Sequence, residues 1–244
     1  MVIVPASPEP PAIAVFARPP LAGAAKTRLI PVLGAAAAAR LQRRLTLHAL
    51  AVAKRSAVGS VTLWAAPDGQ QRFFRALRRR CGVDLRGQSG DDLGQRMAAA
   101  FAAHAGPLLL IGSDCPALTE AHLAAAASAL VDERHAGNDA VFIPAEDGGY
   151  VLVGLRHPQP QLFERIAWGS ERVMTQTRQR LSEHGLRWVE LPTLWDLDRP
   201  ADLARLVTLA GFAGWGGACR VSNGGNQVCA DAGQRAQAPA AFGL

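Results

Sequence analysis

The stretch PLLLIGSD, Pro107 to Asp114, decides the fold. Leu108 to Ile111 is apolar without a break, so neither side of the run is polar. So short a run without alternation predicts a strand buried on both faces, as in a parallel sheet covered by helices above and below. The run ends in a carboxylate. An uncompensated Asp at the end of a buried strand is costly, so Asp114 is expected to cap a turn, pair with a cation or hold a metal ion.

Working outward, the pattern alternates. AIAVFAR (12–18), SVTLWAA (60–66), VDLRGQ (83–88), DAVFIPA (139–145), GYVLVGL (149–155) and LRWVEL (186–191) read as further strands. Helices are predicted over 34–56, 68–80, 91–106, 119–133 and 170–185, with a last one opening at Pro200. Thr119 and Ser170 are expected N-caps, and Gly185 a helix stop. This order predicts an α/β fold with a mostly parallel sheet and helices on both faces. A short N-terminal extension (1–11) precedes a single domain (12–210). The remainder, 211–244, is rich in Gly, Ala, Asn and Gln without an apolar period, and is expected to be a loosely attached tail.

Composition narrows the function. A chain of 244 residues can bury a sizeable core. The net charge is +6, and Lys occurs only at 26 and 54, so 24 of the 26 basic residues are Arg. That balance suits an anionic ligand. The one dense cluster, RALRRR (75–80), has no aromatic or recognition motif beside it, which argues for a solvated helix end and against nucleic acid. No apolar run reaches the ~18 residues of a membrane span, and no secretory signal is visible at the start. Four cysteines without CxxC spacing suggest a cytoplasmic protein with free thiols. No His pairs with a plausible Ser or Cys nucleophile, so triad chemistry is set aside.

Ligands of open parallel sheets bind beyond the carboxyl ends of the strands. The loop after the first strand carries Arg18, Gly23, Lys26, Thr27 and Arg28. It is not a Walker A loop, because Ala25 stands where Gly must precede the Lys. A looser phosphate grip remains, with Gly23 for close backbone approach, free N–H groups beyond it, and two cations. The simpler alternative is an exposed basic loop, and Lys26 is expected to be exposed. Opposite stand Asp114, Glu146, Asp147, Asp196 and Asp198. Cations on one side and carboxylates on the other suit a phosphate-rich ligand bridged by a divalent metal. Mg²⁺ in such sites uses one or two carboxylates, here Asp114 with Asp196 or Asp198. The latter two are spaced to point the same way in an extended segment. Asp198 is equally placed to cap the helix at Pro200. In AEDGGY, Glu146 and Asp147 either form a tight turn or lie near an acceptor or sugar.

FARPPLAGAAKTRL, GQSGDDLGQRM, LLLIGSDCPALT, PAEDGGYVLVGL, WGSERVMTQT and LWDLDRPADL together resemble the nucleotide-diphospho-sugar transferase (glycosyltransferase-A) superfamily. Within it they are similar to a bacterial family labelled arsenosugar-biosynthesis-type glycosyltransferases. The resemblance spans 12–210 in order. It implies a single-domain, Rossmann-like GT-A fold and metal-dependent transfer from a nucleotide diphosphate-sugar to a small-molecule acceptor. It further implies that Arg18, Gly23, Lys26, Thr27, Arg28 and Asp92 hold the nucleotide and its phosphates, and that Asp114 and Asp198 bind Mg²⁺ or Mn²⁺. Glu146 or Asp147 would orient or deprotonate the acceptor hydroxyl. The usual Asp-x-Asp motif is reduced here to Ser113-Asp114-Cys115, and Arg199 stands where Thr is frequent. The first and last motifs are also similar to nucleotidyltransferases of the same fold, such as phospholactate and molybdenum-cofactor guanylyltransferases. Nucleotidyl transfer is thus the alternative activity, and nucleotide binding without catalysis a third reading.

Overall fold

The computed structural model describes residues 9–131 and 137–212. Seven strands form one sheet: β1 (Ala12–Ala17), β2 (Val61–Ala65), β3 (Asp84–Gly87), β4 (Leu108–Gly112), β5 (Ala140–Pro144), β6 (Tyr150–Leu155) and β7 (Trp188–Glu190). Their spatial order is β3-β2-β1-β4-β6-β5-β7. The helices are α1 (Ile30–Leu33), α2 (Ala35–Arg55), α3 (Arg72–Cys81), α4 (Leu93–Ala102), α5 (Glu120–Val131), α6 (Val173–Glu183) and α7 (Asp202–Leu206).

The sheet is mostly parallel, as the apolar run of β4 predicts. Only β6 runs against its neighbours β4 and β5. The cause is local. Five residues separate β5 from β6, and a parallel pair needs a crossover of a dozen or more.

Alternate residues of β4 serve two cores. Leu109 and Ile111 join Ile13 and Val15 beneath α2, α3 and α5. Leu108 and Leu110 join Ala14 and Phe16 beneath α4 and α6. Both faces are therefore covered, and the unbroken hydrophobicity of the strand follows.

A third cluster unites Leu29, Leu41, Leu45, Trp195, Leu197, Leu206 and Phe212. It clamps the loop after β1 and the segment before α7 onto α2. Phe212 is 1% exposed. It meets the His48 ring edge-on at 5.2 Å and lies beneath the Arg44 guanidinium at 5.3 Å. The packed body thus reaches beyond the expected boundary at 210, because Phe212 fills an apolar gap against α2. The rest of the expected tail, 213–244, and residues 1–8 of the extension lie outside the described residues. Helix α6 starts three residues after Ser170, whose hydroxyl instead donates to the Ala167 carbonyl at 2.7 Å and shapes the preceding turn. Among the described residues no helix is long and apolar enough to cross a membrane.

Candidate functional site

Because β1 and β4 are parallel neighbours, their carboxyl ends open side by side. The chain leaving β1 turns where the Ala24 and Ala25 amides donate to the Leu21 carbonyl, at 3.1 and 2.9 Å. Gly23, at φ 84°, supplies the left-handed step of that turn. Lys26 follows, itself left-handed at φ 48° and ψ 49°, a conformation uncommon for a side chain with a Cβ.

Lys26 is not the exposed loop lysine expected. Its side chain is 4% exposed. Its ammonium donates to the Leu197 carbonyl at 2.6 Å and lies 3.2 Å from Asp114 Oδ1 and 3.3 Å from Asp198 Oδ1. Burial is the largest single influence on its pKa and lowers it, but Asp114 and Asp198 together outweigh burial and leave it above the ordinary 10.5. Arg28 reaches Asp198 Oδ2 at 2.8 Å. The Leu197 amide donates to the Asp114 carbonyl at 2.8 Å, tying the two carboxylate-bearing segments together.

Asp198 is not a helix cap. Asp202, the first residue of α7, instead ties down this segment, its Oδ2 accepting from the Asp198 and Arg199 amides at 3.0 and 2.7 Å. This frees the Asp198 carboxylate to face the cations. Support for Asp114 comes from a residue the sequence reading missed. Gln42 of α2 is 4% exposed and donates to Ser113 Oγ at 3.2 Å, and Ser113 Oγ lies 3.4 Å from Asp114 Oδ1. The available signal was a polar residue within the buried stripe Ala38, Leu41, Leu45, Ala49.

A cleft of about 710 Å³ opens above this cluster. Arg18, Lys26, Thr27, Arg28 and Arg96 line it, as do Asp91, Asp92, Asp114 and Asp198. Gly23 does not line it and serves the turn through its φ of 84°; a Cβ there would meet nothing within 4 Å, so no close approach requires the glycine. Asp92 lines the cleft but its side chain caps α4, accepting from the Gln95 amide at 2.8 Å.

A second cavity of about 250 Å³ adjoins, lined by Asp114, Asp147, Asp196, Cys115, Tyr150 and Trp168 among others. Asp196 and Asp198 therefore serve different cavities, because the segment is pinned at Leu197 to both Asp114 and Lys26 rather than lying as a free extended strand. Burial, aided by Asp147 and Asp198, pushes the Asp196 carboxyl up to about 6. Burial pushes the Cys115 thiol up to about 12, so it stays protonated. Asp147 folds its own turn, accepting from the Gly149 amide at 2.9 Å, yet still faces the cavity. Glu146 does not. It forms a bidentate pair with Arg205 at 2.6 and 2.9 Å, and Arg205 lies 4.5 Å over the Trp195 ring. The carboxylate placed beside an acceptor is thus half of a surface clamp, and neither cavity includes it.

The residues can be tested against a divalent ion. Among the described residues no three His, Cys, Asp or Glu side chains gather as a metal group. Asp114 is 47% exposed, and its Oδ2 has no hydrogen-bond or ion-pair partner among the described residues. Both oxygens of Asp198 are already held by Lys26 and Arg28. One available hard-oxygen ligand fits an ion that draws its other ligands from phosphate and water.

The family described as "Uncharacterized protein conserved in bacteria (DUF2064)" matches residues 49–170, half of the chain. The chain belongs to this family. No curated protein matches it. Its fold is similar to that of a Desulfovibrio desulfuricans G20 protein described as a candidate nucleotide-diphospho-sugar transferase. The TM-score is 0.71 at 26% identity, over 84% of this chain and 93% of that one. A cytidylyltransferase from Leptospira borgpetersenii shares the fold with TM-score 0.53 and 15% identity, over 83% and 89% of the two chains. A CMP-2-keto-3-deoxy-manno-octonic acid synthetase complexed with CTP shares it with TM-score 0.52 and 12% identity, over 81% and 97%. The DUF2064 chain thus has the single-domain α/β fold of nucleotide-diphospho-sugar transferases, and its structural neighbours are transferases and nucleotidyltransferases.

Proposed function

We propose that the protein is a transferase whose donor is a nucleotide diphosphate-sugar and whose acceptor is a small molecule. The observation that carries this is the Lys26–Asp114–Asp198 cluster, with Lys26 buried at the floor of a cleft that has Arg18, Arg28 and Arg96 in its wall. The described character of the Desulfovibrio desulfuricans protein supports it.

In this reading the diphosphate lies along the first loop. Arg18, Thr27, Arg28 and Arg96 meet its oxygens from the wall, and Asp92 stands beside the nucleotide at the start of α4. Lys26 provides a fixed positive charge at the floor, where burial strengthens its action. A bound Mg²⁺ or Mn²⁺ would be held by Asp114 and would neutralise charge on the leaving diphosphate. Asp198 could join that ligand set only by releasing Arg28. The acceptor enters the adjoining cavity. Its hydroxyl oxygen bonds to the sugar's anomeric carbon, and the bond from that carbon to phosphate oxygen breaks. The nucleoside diphosphate leaves with the electron pair, and the proton passes to Asp147 or Asp196. Glu146 has no part in the step.

The test is a thermal-shift screen of nucleotides and nucleotide sugars with and without Mn²⁺, followed by product analysis over an acceptor panel. Stabilisation by nucleoside diphosphates and their sugars, with release of nucleoside diphosphate, is expected. Release of pyrophosphate from a nucleoside triphosphate would replace this reading with nucleotidyl transfer. Binding without turnover over the whole panel would reduce the protein to a nucleotide binder.

A further inference from the structure

The two cavities touch but differ in charge. Both are lined by Leu93, Gly112, Asp114, Trp168 and Gly169. Gly112 ends β4 where the two meet, and a Cβ there would meet nothing closer than 4.0 Å. On the cleft side the wall contains Arg18, Lys26, Arg28 and Arg96. Lining the smaller cavity are Asp114, Asp147 and Asp196, and no Lys or Arg. Asp147 and Asp196 have no ion-pair partner among the described residues. Lys26, the nearest buried cation, is turned to Asp114 Oδ1, Asp198 and the Leu197 carbonyl.

The other wall is aromatic. Tyr150 and Trp168 meet at right angles, 6.4 Å between ring centres. Trp168 is wedged in place, since a Cβ on Gly94 would stand 2.6 Å from its indole nitrogen. Rigid rings beside unpaired carboxylates suit a molecule with C–H faces and several O–H or N–H donors. An ammonium would gain from both the rings and the carboxylates. A phosphate or carboxylate would face like charge on Asp147 and Asp196 with no Lys or Arg in the cavity wall, the charge of Asp114 being offset by Lys26. At about 250 Å³ the cavity is smaller than the ~300–1,000 Å³ of drug-sized sites, which limits it to a small molecule.

We propose that this cavity selects the acceptor by charge, admitting a small hydroxylated molecule that is neutral or amine-bearing and rejecting phosphorylated or carboxylated ones. This rests on the transferase reading above and deepens it. It also opposes the nucleotidyl alternative with a phosphorylated acceptor.

The test measures binding of glucose, glucosamine, glucose 6-phosphate and glucuronate to the full chain by ligand-observed NMR, with UDP or GDP titrated separately by calorimetry. Glucosamine and glucose should bind at least tenfold more tightly than the two anions, one like-charge contact near a surface being worth about that factor. Asp147→Asn and Asp196→Asn keep shape and remove charge. Each should narrow the preference severalfold while leaving diphosphate affinity intact, which also shows that the variant is folded. Tighter binding of glucose 6-phosphate than of glucosamine would overturn the proposal, as would diphosphate binding with none of the four sugars bound. Selection of glucosamine over glucose 6-phosphate without any nucleotide binding would uphold the cavity's preference and overturn the nucleotide reading of the cleft.

Discussion

Two carboxylate–cation clusters stand at the carboxyl end of the sheet and are built in opposite ways. In one, a single ammonium, 4% exposed, holds Asp114 and Asp198 together. In the other, Arg205 and Glu146 form a bidentate pair with both side chains in water, 43% and 52% exposed. The second has the shorter contacts, 2.6 Å against 3.2 Å, yet losing one partner there should cost less. Ion pairs at the surface are screened by solvent, whereas a buried charge deprived of its partner is left uncompensated. Geometry alone would rank the two wrongly, and burial reverses the order.

The comparison can be broken or sharpened by substitution. Lys26→Met should have the largest effect, since Asp114 and Asp198 would then face each other without their shared cation. Fully buried pairs lose ~3–5 kcal/mol on such a change, and the half-exposed carboxylates reduce this to about 2–3 kcal/mol. Urea unfolding measures it, and a midpoint equal to wild type would place Lys26 among ordinary surface lysines. The sign of the pH dependence also follows. The folded pKa of Lys26 lies above its unfolded value, so its contribution is complete below pH 10.5 and fades as the pH passes the folded pKa. Lys26→Met should lack that alkaline step. Lys26→Arg should not restore nucleotide affinity, because a planar guanidinium does not fit a point shared by two carboxylates and a carbonyl.

Next is Gln42→Leu. It removes the donor to Ser113 and leaves a buried hydroxyl with less support, costing about 1–2 kcal/mol in the same assay. If Ser113 orients Asp114, metal-dependent nucleotide affinity should fall with it; unchanged affinity would make Gln42 purely structural.

Asp196→Asn should act in the other direction. The folded pKa of Asp196 is raised to about 6 from 3.8, so its ionisation costs stability as pH rises through that window. The neutral variant should melt higher at pH 7, by ~1 kcal/mol or about 3 °C after allowance for solvent screening, with no advantage near pH 3.5. A lower melting temperature at pH 7 would show an unrecognised cation partner for Asp196. The smallest effect is expected for Glu146→Gln, with no measurable change in melting temperature or turnover. A large loss of turnover would return Glu146 to the reaction.

The fold was legible because it is written in local patterns. The unbroken apolar run of β4 and the strand–helix alternation locate a mostly parallel sheet, and the structure adds the reversal of β6 that the short Ala145–Gly149 connection imposes. The positions of Arg18 and Asp114 just past β1 and β4 were legible for the same reason. The sequence did not show what these side chains do to one another. Lys26 and Asp198 lie 172 positions apart and share a proton-bearing contact only because β1 and β4 are neighbours and Leu197 is bonded to both sides. The split of Asp196 and Asp198 between two cavities, the diversion of Glu146 to Arg205 and the burial of Gln42 under Ser113 have the same origin. Each depends on which distant surface a loop meets, and no local period encodes that. What residue spacing determined by itself was the sheet and which residues stand at its carboxyl end. Only tertiary packing, through burial and pairing, decided which charges are struts, which are clamps, and which remain free for a ligand.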